Sequence, residues 1–363
     1  MLHVKLLDKY IFKKFILTFF MAIILIVGIV IIFDISEKID DFVAKEAPLH
    51  AIIFDYYVNF VPYFMNMFSP LFVFISVIFF TSIMASNSEI IAILSCGVSY
   101  RRMLMPYMAA AAIIAIFSLG LSLFIIPNGN VKRVAFEAKY TKSNRNALSV
   151  KNVHYQLDPG QFVYVESFSA WNNTAYDFTL EKVENNTLVS KLSAESAKWD
   201  STKAGWRLRN WFIRDYTDGL EDRVRSGATM DTVLSLTVTD FYRNKKTVEA
   251  LPIRQLNQLI RTQKMRGDAN VMFSQLEKHQ RYSMPFSAFI LTIIGVTLSS
   301  RKKRGGIGWN IGIGIALSFT YILFMRFSQM FVYTGAMPAV VALWIPNVLY
   351  AIVALILYHF AQK

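Results

Sequence analysis

FSPLFVFISVIFFTSIM (68–84), NSEIIAILSCGVSYRRM (87–103) and LMPYMAAAAIIAIFSLGLSLFII (104–126) decide what kind of chain this is. The outer two belong to apolar runs long enough to cross a hydrocarbon core of roughly 30 Å at 1.5 Å per residue. The middle stretch is short, amphipathic and ends in two arginines. Asn87 or Ser88 is placed to cap a helix, and Glu89 falls in its first turn, where the macrodipole favours an anion. Ile90, Ile93 and Leu94 then share one face, and Gly97 ends the turn. The expectation is a short helix lying against a membrane surface, anchored by Arg101 and Arg102. It reads either as an ordinary interfacial loop helix or as a knob that a separate motor subunit grips and moves.

Composition agrees with a membrane chain. Of 363 residues, 54% are hydrophobic, 15% aromatic and only 17% charged, against about 25% charged in a soluble domain. The single cysteine, Cys96, rules out an intramolecular disulfide, and five scattered histidines offer no metal-ligand cluster. The net charge of +13 and pI near 9.6 would suggest nucleic acid in a soluble protein. Here the placement of the charges matters more than their sum, and no nucleic-acid partner is expected. The run from Phe15 to Phe33 is too long for a signal-peptide core and lacks an A-x-A-like cleavage site, so it reads as a retained transmembrane helix.

Spans are expected at roughly 12–34, 54–84, 103–127, 284–300, 307–333 and 339–360. The second exceeds what a bilayer requires, and Pro62 and Pro70 are expected to kink it. The resulting layout has residues 1–127 as three helices with the short helix near 87–97, then 128–252 as a β domain. A helical connector at 253–283 and three more helices at 284–363 complete it. QFVYVESF, DFTLEKV, TLVSKLSAESAKW and GWRLRNWFIRDY read as strands separated by the turn signals DPG, WNN, ENN and TDG. Strands at this spacing suggest a sandwich or open jelly-roll-like domain. IRQLNQLIRTQKMRG and NVMFSQLEKHQRYSM have helical spacing.

Short-loop lysines and arginines set the orientation. Lys5, Lys9, Lys13, Lys14, Arg101, Arg102, the RKKR at 301–304 and Lys363 share one side, whereas the opposite short loops carry only Lys38 and Lys45. Both termini are therefore expected in the cytoplasm and the β domain outside it.

The chain contains no G-x-x-x-x-G-K-[ST], H-E-x-x-H or G-x-S-x-G, so it has no P-loop and no familiar hydrolase signature. A membrane-anchored hydrolase or a sensor with an outer β domain is the competing reading to a transporter subunit.

SEIIAILSCGVSYRRM resembles the S-E-[apolar]…[SA]-x-G-x-S signature of the lipopolysaccharide-export permeases of the LptF/LptG type, also called YjgP/YjgQ. LDKYIFKKFILTFF is similar to that family's first helix, IPNGN to its exit from span three, and GQFVYVESF to an early strand of its outer domain. EKHQRYSMPFSAFILTIIGVTLSS resembles its entry into span four. The LDKYI opening is closer to the LptG branch. The resemblance implies a six-helix (3+3) bacterial inner-membrane permease with an inserted periplasmic all-β jelly-roll-like domain. It implies no catalytic residue and no cofactor on this chain, since ATP and Mg would sit on an LptB-like ATPase dimer. The other implied partners are a paralogous LptF-like permease, a single-span LptC-like protein, a periplasmic bridge protein and lipopolysaccharide. An ABC-type permease for another lipid or lipoprotein is the alternative.

The resemblance also assigns site residues. Ser88, Glu89, Ile93, Gly97 and Arg101 would couple to the ATPase, with Glu89 as the coupling carboxylate. Lys38, Lys132, Arg133 and Arg326 would contact the anionic lipid. Where the family carries several lysines at the outer end of span one, this chain has FDISEKIDDF, with Lys38 alone among Asp34, Glu37, Asp40 and Asp41. Arg326, in LSFTYILFMRFSQMFVY, has three readings: snorkelling to outer headgroups, pairing with Asp55, or contacting lipid beside a lateral gate formed by span five of one permease and span one of the other. Trp171, Trp199, Trp206 and Trp211 either line an apolar lipid path or pack the β core.

Overall fold

The computed structural model describes residues 6–141, 149–169, 172–216, 222–241, 248–268, 270–300 and 306–361. The chain divides into two compact units, Met1–Arg133 with Gln275–Lys363, and Val134–Ser274. Six helices of the described residues are long and apolar enough to span a bilayer: Leu6–Ala44, Ser69–Ser86, Tyr100–Tyr140, Val271–Ser299, Gly308–Tyr333 and Ala339–Ala361. They are called spans one to six below.

Span one buries Ile11, Phe15, Phe19, Ile23 and Val27, a residue every fourth position. Such a stripe drifts by about 40° per step round a 3.6-residue helix, as happens where neighbouring helices cross it along their i±4 ridges. Phe15 stacks on Phe80 of span two (5.9 Å between centroids), and Phe80 stacks on Tyr107 of span three (5.2 Å).

Span two is preceded by helix that changes character. Residues Ile52–Tyr57 form a π turn and Val58–Met67 an α-helix with Pro62 inside it. The helix breaks at Phe68 (φ −100°, ψ 9°), and Pro70 restarts it in the first turn of Ser69–Ser86, where a missing N–H costs nothing. The expected kink at Pro70 is thus a break two residues earlier. Span two then runs through the middle of the helical unit. Gly295 of span four and Gly314 of span five let it approach closely. A Cβ on the first would sit 2.8 Å from Val77 Cγ1, and on the second 2.3 Å from Ile78 Cδ1. Asn310 Nδ2 also donates to Ser82 Oγ at 3.2 Å.

Span three does not end at IPNGN. It continues as Ile126–Tyr140 after a π turn at Leu121–Ile125, in which the Ile126 N–H reaches Leu121 O, five residues back. Pro127 follows directly, and a widened turn just before a proline is the local adjustment that keeps such a helix continuous. Beside it, Ser118 Oγ donates to Asn66 Oδ1 (2.6 Å) and Asn66 Nδ2 to Ser122 Oγ (2.9 Å). Residues 128–140 are accordingly helix, where a β domain had been expected to begin.

In the other unit lies the inserted β region, accompanied by the helix Ile253–Met265. Its strands are β1 (Ser149–Asp158), β2 (Gln161–Ser169), β3 (Thr174–Glu184), β4 (Thr187–Asp200), β5 (Gly205–Asp215) and β6 (Arg223–Thr232). They form one antiparallel sheet in chain order. The two-residue β3–β4 loop, Asn185–Asn186, has φ of 50° and 62°, the left-handed pair that a tight hairpin needs and Asn tolerates. Cross-strand rows build the core: Val153, Val165, Phe178, Ala194 and Trp211 align, as do Phe168, Ala175, Ala197 and Leu208.

The segment after β6 closes over these rows. Trp206 Nε1 donates to Leu236 O (2.7 Å), and Phe241 stacks on Phe168 at 4.4 Å. Of the four tryptophans singled out in the sequence, Trp206 is therefore core and Trp199 packs edge-on against it at 5.3 Å. Trp211 is half-buried over Gly227, whose absent Cβ would lie 2.9 Å from the indole. Trp171 lies outside the described residues. Of the connector expected at 253–283, Ile253–Met265 is a helix of its own and 271–283 is the first part of the helix Val271–Ser299; Gln156 N of β1 donates to Arg266 O (3.1 Å).

Candidate functional site

The segment between spans two and three forms the short helix Glu89–Ser95. Its entry differs from expectation. Asn87 terminates span two, with its N–H on Ile83 O (3.0 Å), and Ser88 turns left-handed at φ 61° with its side chain capping nothing. A sharp reversal leaves no extended residue whose hydroxyl can reach back to the orphan N–H groups. The serine that does cap is Ser99, at the start of span three, extended at φ −64°, ψ 148°, whose Oγ accepts from Arg102 N at 3.3 Å. Gly97, at φ 80°, ends the short helix as expected, its N–H on Leu94 O.

The faces of this helix also differ in part. Ile90 is buried and Ile93 half-buried, but Leu94 is turned outward with Ile91, which is 54% exposed. Two apolar side chains, i and i+3, therefore share an outer face. Glu89 heads the helix, half-buried, and both its oxygens are engaged. Tyr10 Oη donates to Oε2 at 3.0 Å and Asn87 Nδ2 to Oε1 at 3.3 Å. The two arginines part company. Arg101 is exposed, whereas Arg102 Nη2 is 2.6 Å from Asp8 Oδ2. Arg102 is thus tied to protein and is not a free lipid anchor.

Asp8 and Tyr10 were not assigned a role from the sequence. In the sequence Asp8 shows only as a lone acid in a first turn followed by Lys9, Lys13 and Lys14, and nothing local points to Arg102 as its partner.

At the other end of span one, Lys38 is engaged. Its Nζ donates to Asp34 Oδ1 at 2.6 Å and to the Tyr56 hydroxyl, while Tyr57 Oη donates to Asp34 Oδ2 at 3.0 Å. The ammonium also lies over the Tyr56 ring, 4.7 Å from its centroid. Lys132 is exposed, and its neighbour Arg133 is buried with its guanidinium 4.1 Å from the centre of the Tyr63 ring, a cation–π stack. Arg326 is exposed on span five and reaches Gln329 Oε1 at 3.5 Å, and Gln329 Nε2 in turn donates to Gln280 Oε1 of span four (3.2 Å). Among the described residues no ion pair joins Arg326 to Asp55, so that reading of Arg326 falls. The four candidate lipid cations do not form one cluster of contacts: Lys38, Arg133 and Arg326 each engage their own neighbours, and Lys132 is exposed.

Six apolar spans, a short helix with an outward apolar face between spans two and three, and an inserted antiparallel β unit define a multi-pass membrane protein of the permease class. Over residues 9–359, nearly the whole chain, it matches the family described as lipopolysaccharide export system permease LptF/LptG. The chain belongs to that family, which consists of inner-membrane permease subunits and not of enzymes. The match does not separate the LptF branch from the LptG branch. No curated protein matches the chain.

Proposed function

We propose that this chain is one of two permease subunits of an ATP-driven transporter that extracts lipopolysaccharide from the inner membrane and hands it to a periplasmic bridge. The observation that carries the reading is the helix Glu89–Ser95, which presents Ile91 and Leu94 outward beside a carboxylate on a chain without a P-loop. A permease that cannot bind ATP through a P-loop needs a projecting element for a separate ATPase to move. Ser88, Glu89, Ile93, Gly97 and Arg101 build that element. Both termini lie in the cytoplasm and the β unit in the periplasm, as the short-loop lysines and arginines require.

The energetics support a division of labour. Withdrawing a multi-chain lipid costs about 0.8 kcal/mol per exposed CH₂, so extraction needs coupling to ATP hydrolysis; membership of the family supports a paralogous permease and an ATPase dimer as the partners. The outer strand β6 offers an edge for a partner strand, and a single-span LptC-like protein and a bridge of like domains are the partners it suits. Lys132 and Arg326, both exposed, are the first cations for the lipid's anionic groups. Arg133 and Lys38 reach it only on leaving Tyr63 and Asp34. The LDKYI opening favours the LptG-like role. An ABC-type permease for another lipid or lipoprotein is the second reading, favoured by the acidic surroundings of Lys38, which suit a cargo with fewer phosphates.

Glu89→Lys tests the central claim. Lipid-stimulated ATP turnover of the purified complex is expected to fall by about tenfold, equivalent to ~1.4 kcal/mol, with the helical bundle still folded. Unchanged assembly and turnover would remove the short helix from the mechanism. Crosslinking lipid at position 326 identifies the cargo.

A further inference from the structure

The Asp8 end of span one is held at two points. Tyr10 Oη donates to Glu89 at the head of the short helix (3.0 Å), and Asp8 pairs with Arg102 at the start of span three (2.6 Å). The two partners, Glu89 and Arg102, bracket the short helix, so both of its flanks are fastened to the same turn of span one. Residues i and i+2 of a helix point about 200° apart, so Asp8 and Tyr10 grip from different sides. A rotation or a slide of one element that spared the other would break at least one tie.

Between the Asp8 end and the Asp34–Lys38 cluster, span one is held, among the described residues, by apolar contacts alone. Only 22% of its most apolar window is buried, along the stripe that runs from Ile11 to Val27. In a bilayer, apolar side chains lose little when they exchange a protein neighbour for a lipid tail, so that stripe can repack cheaply. The directional polar contacts at the Asp8 end cannot.

We propose that Asp8–Arg102 and Tyr10–Glu89 form a clasp that passes displacement of the helix Glu89–Ser95 to span one, with Asp8 and Arg102 as positioning residues. The proposal rests on the reading that an ATPase grips the short helix. The short helix buries Ile90, presents Ile91 and Leu94 outward, and holds the Tyr10 hydroxyl with the Glu89 carboxylate at its head. The carboxylate ties the helix to the lever, and the outward apolar pair is left for the motor. It also assigns span one as the helix that moves first, ahead of the packed span two.

The test uses the complete transporter in liposomes, with lipopolysaccharide as the probe and a soluble acceptor, and reads lipid released per ATP hydrolysed. Asp8→Arg and Arg102→Asp are each expected to lower that ratio about tenfold, the usual order for a reversed close charge pair. ATP hydrolysis and subunit assembly are expected to stay within about twofold of the parent. The double reversal, Asp8→Arg with Arg102→Asp, is expected to restore most of the ratio. Tyr10→Phe keeps the ring and the fold, loses only the hydroxyl, and is expected to lower the ratio about twofold.

Single reversals with the parental ratio overturn the clasp. So do variants that assemble poorly yet keep the parental ratio in what assembles, since that marks a structural tie alone, and so does a double reversal that restores nothing. A parent complex that hydrolyses ATP without moving lipid overturns the functional reading and takes the clasp with it. A parent that moves lipid beside variants that move it equally well overturns the clasp alone.

Discussion

Span one and span two are both continuous apolar helices, yet their surroundings are opposite. Of the most apolar window, 22% is buried in span one and 78% in span two, and the more apolar of the two is the one left facing outward. In water this order would be perverse. In lipid it is ordinary, because tails solvate Leu and Ile as well as a protein interior does. Position in the bundle is decided by small residues and hydrogen bonds. Span two buries Ser76, Thr81 and Ser82 and meets Gly295 and Gly314, whereas Gly28 of span one has nothing within 4 Å of where a Cβ would stand.

Placing one substitution in both environments is the strongest way to break this contrast. Gly295→Val drives a branched side chain into Val77, itself stiff at χ1. Overpacking of that kind costs ~1–3 kcal/mol, which should appear as a lower melting temperature in detergent. Gly28→Val should leave melting unchanged or raised, since Gly is a poor helix former. Equal losses at the two sites would show that span one is packed after all.

A smaller effect sharpens the role of hydrogen bonds. Tyr321 Oη donates to Asn347 Oδ1 (2.8 Å), and Asn347 Nδ2 donates to Ser283 O (3.0 Å), which ties spans four, five and six together. Asn347→Leu is expected to cost ~0.6–1.7 kcal/mol per lost interhelical bond. Thr320→Val, on an exposed stretch of span five where the hydroxyl only bonds back to Ala316 O, is expected to cost nothing measurable. A stable Asn347→Leu protein would mean that apolar packing alone holds those spans.

The smallest effect is expected on the charged face of the β unit. Lys203 and then Arg207 hold the Asp231 carboxyl below the usual carboxylate range. A depressed pKa gives stability above the ordinary carboxylate value that is lost as pH falls through the lowered one. These groups are exposed, so screening leaves little of it. Arg207→Ala should move the melting temperature at pH 7 by less than about 2 °C. A larger drop would make this ladder part of the fold's foundation.

The contrast also explains what the sequence could tell. Long apolar runs reveal spans whatever their neighbours, so all six were readable. Strands β2 to β5 alternate because one face packs against Trp206, Phe178 and their rows. The two edge strands were missed. β1, SVKNVHYQLD, and β6, RVRSGATMDT, are polar along much of their length, as edges that must resist stray pairing tend to be. The capping role of Ser88 was misread because local propensity could not foresee its left-handed turn. The partners of Arg102 and Lys38 were unreadable for a different reason: Asp8 is 94 positions away from the first, and Asp34, though one turn from Lys38, brings two tyrosines with it. Which lipid-facing residues lie inside was not legible at all, since apolarity carries no such information in a membrane.

The order of the strands has a consequence for how the chain is made. Each of β1 to β6 pairs only with the strand before it and the strand after it, so no pairing in the sheet waits for residues synthesised much later. The closing segment, with Leu236 and Phe241, also precedes span four. A chain with such local contacts folds early, and domains commonly fold as units during synthesis. The β unit can therefore be complete while spans four to six are still in the ribosome and translocon. A finished sheet cannot be threaded through a bilayer, so the side on which it folds is fixed before the second half exists.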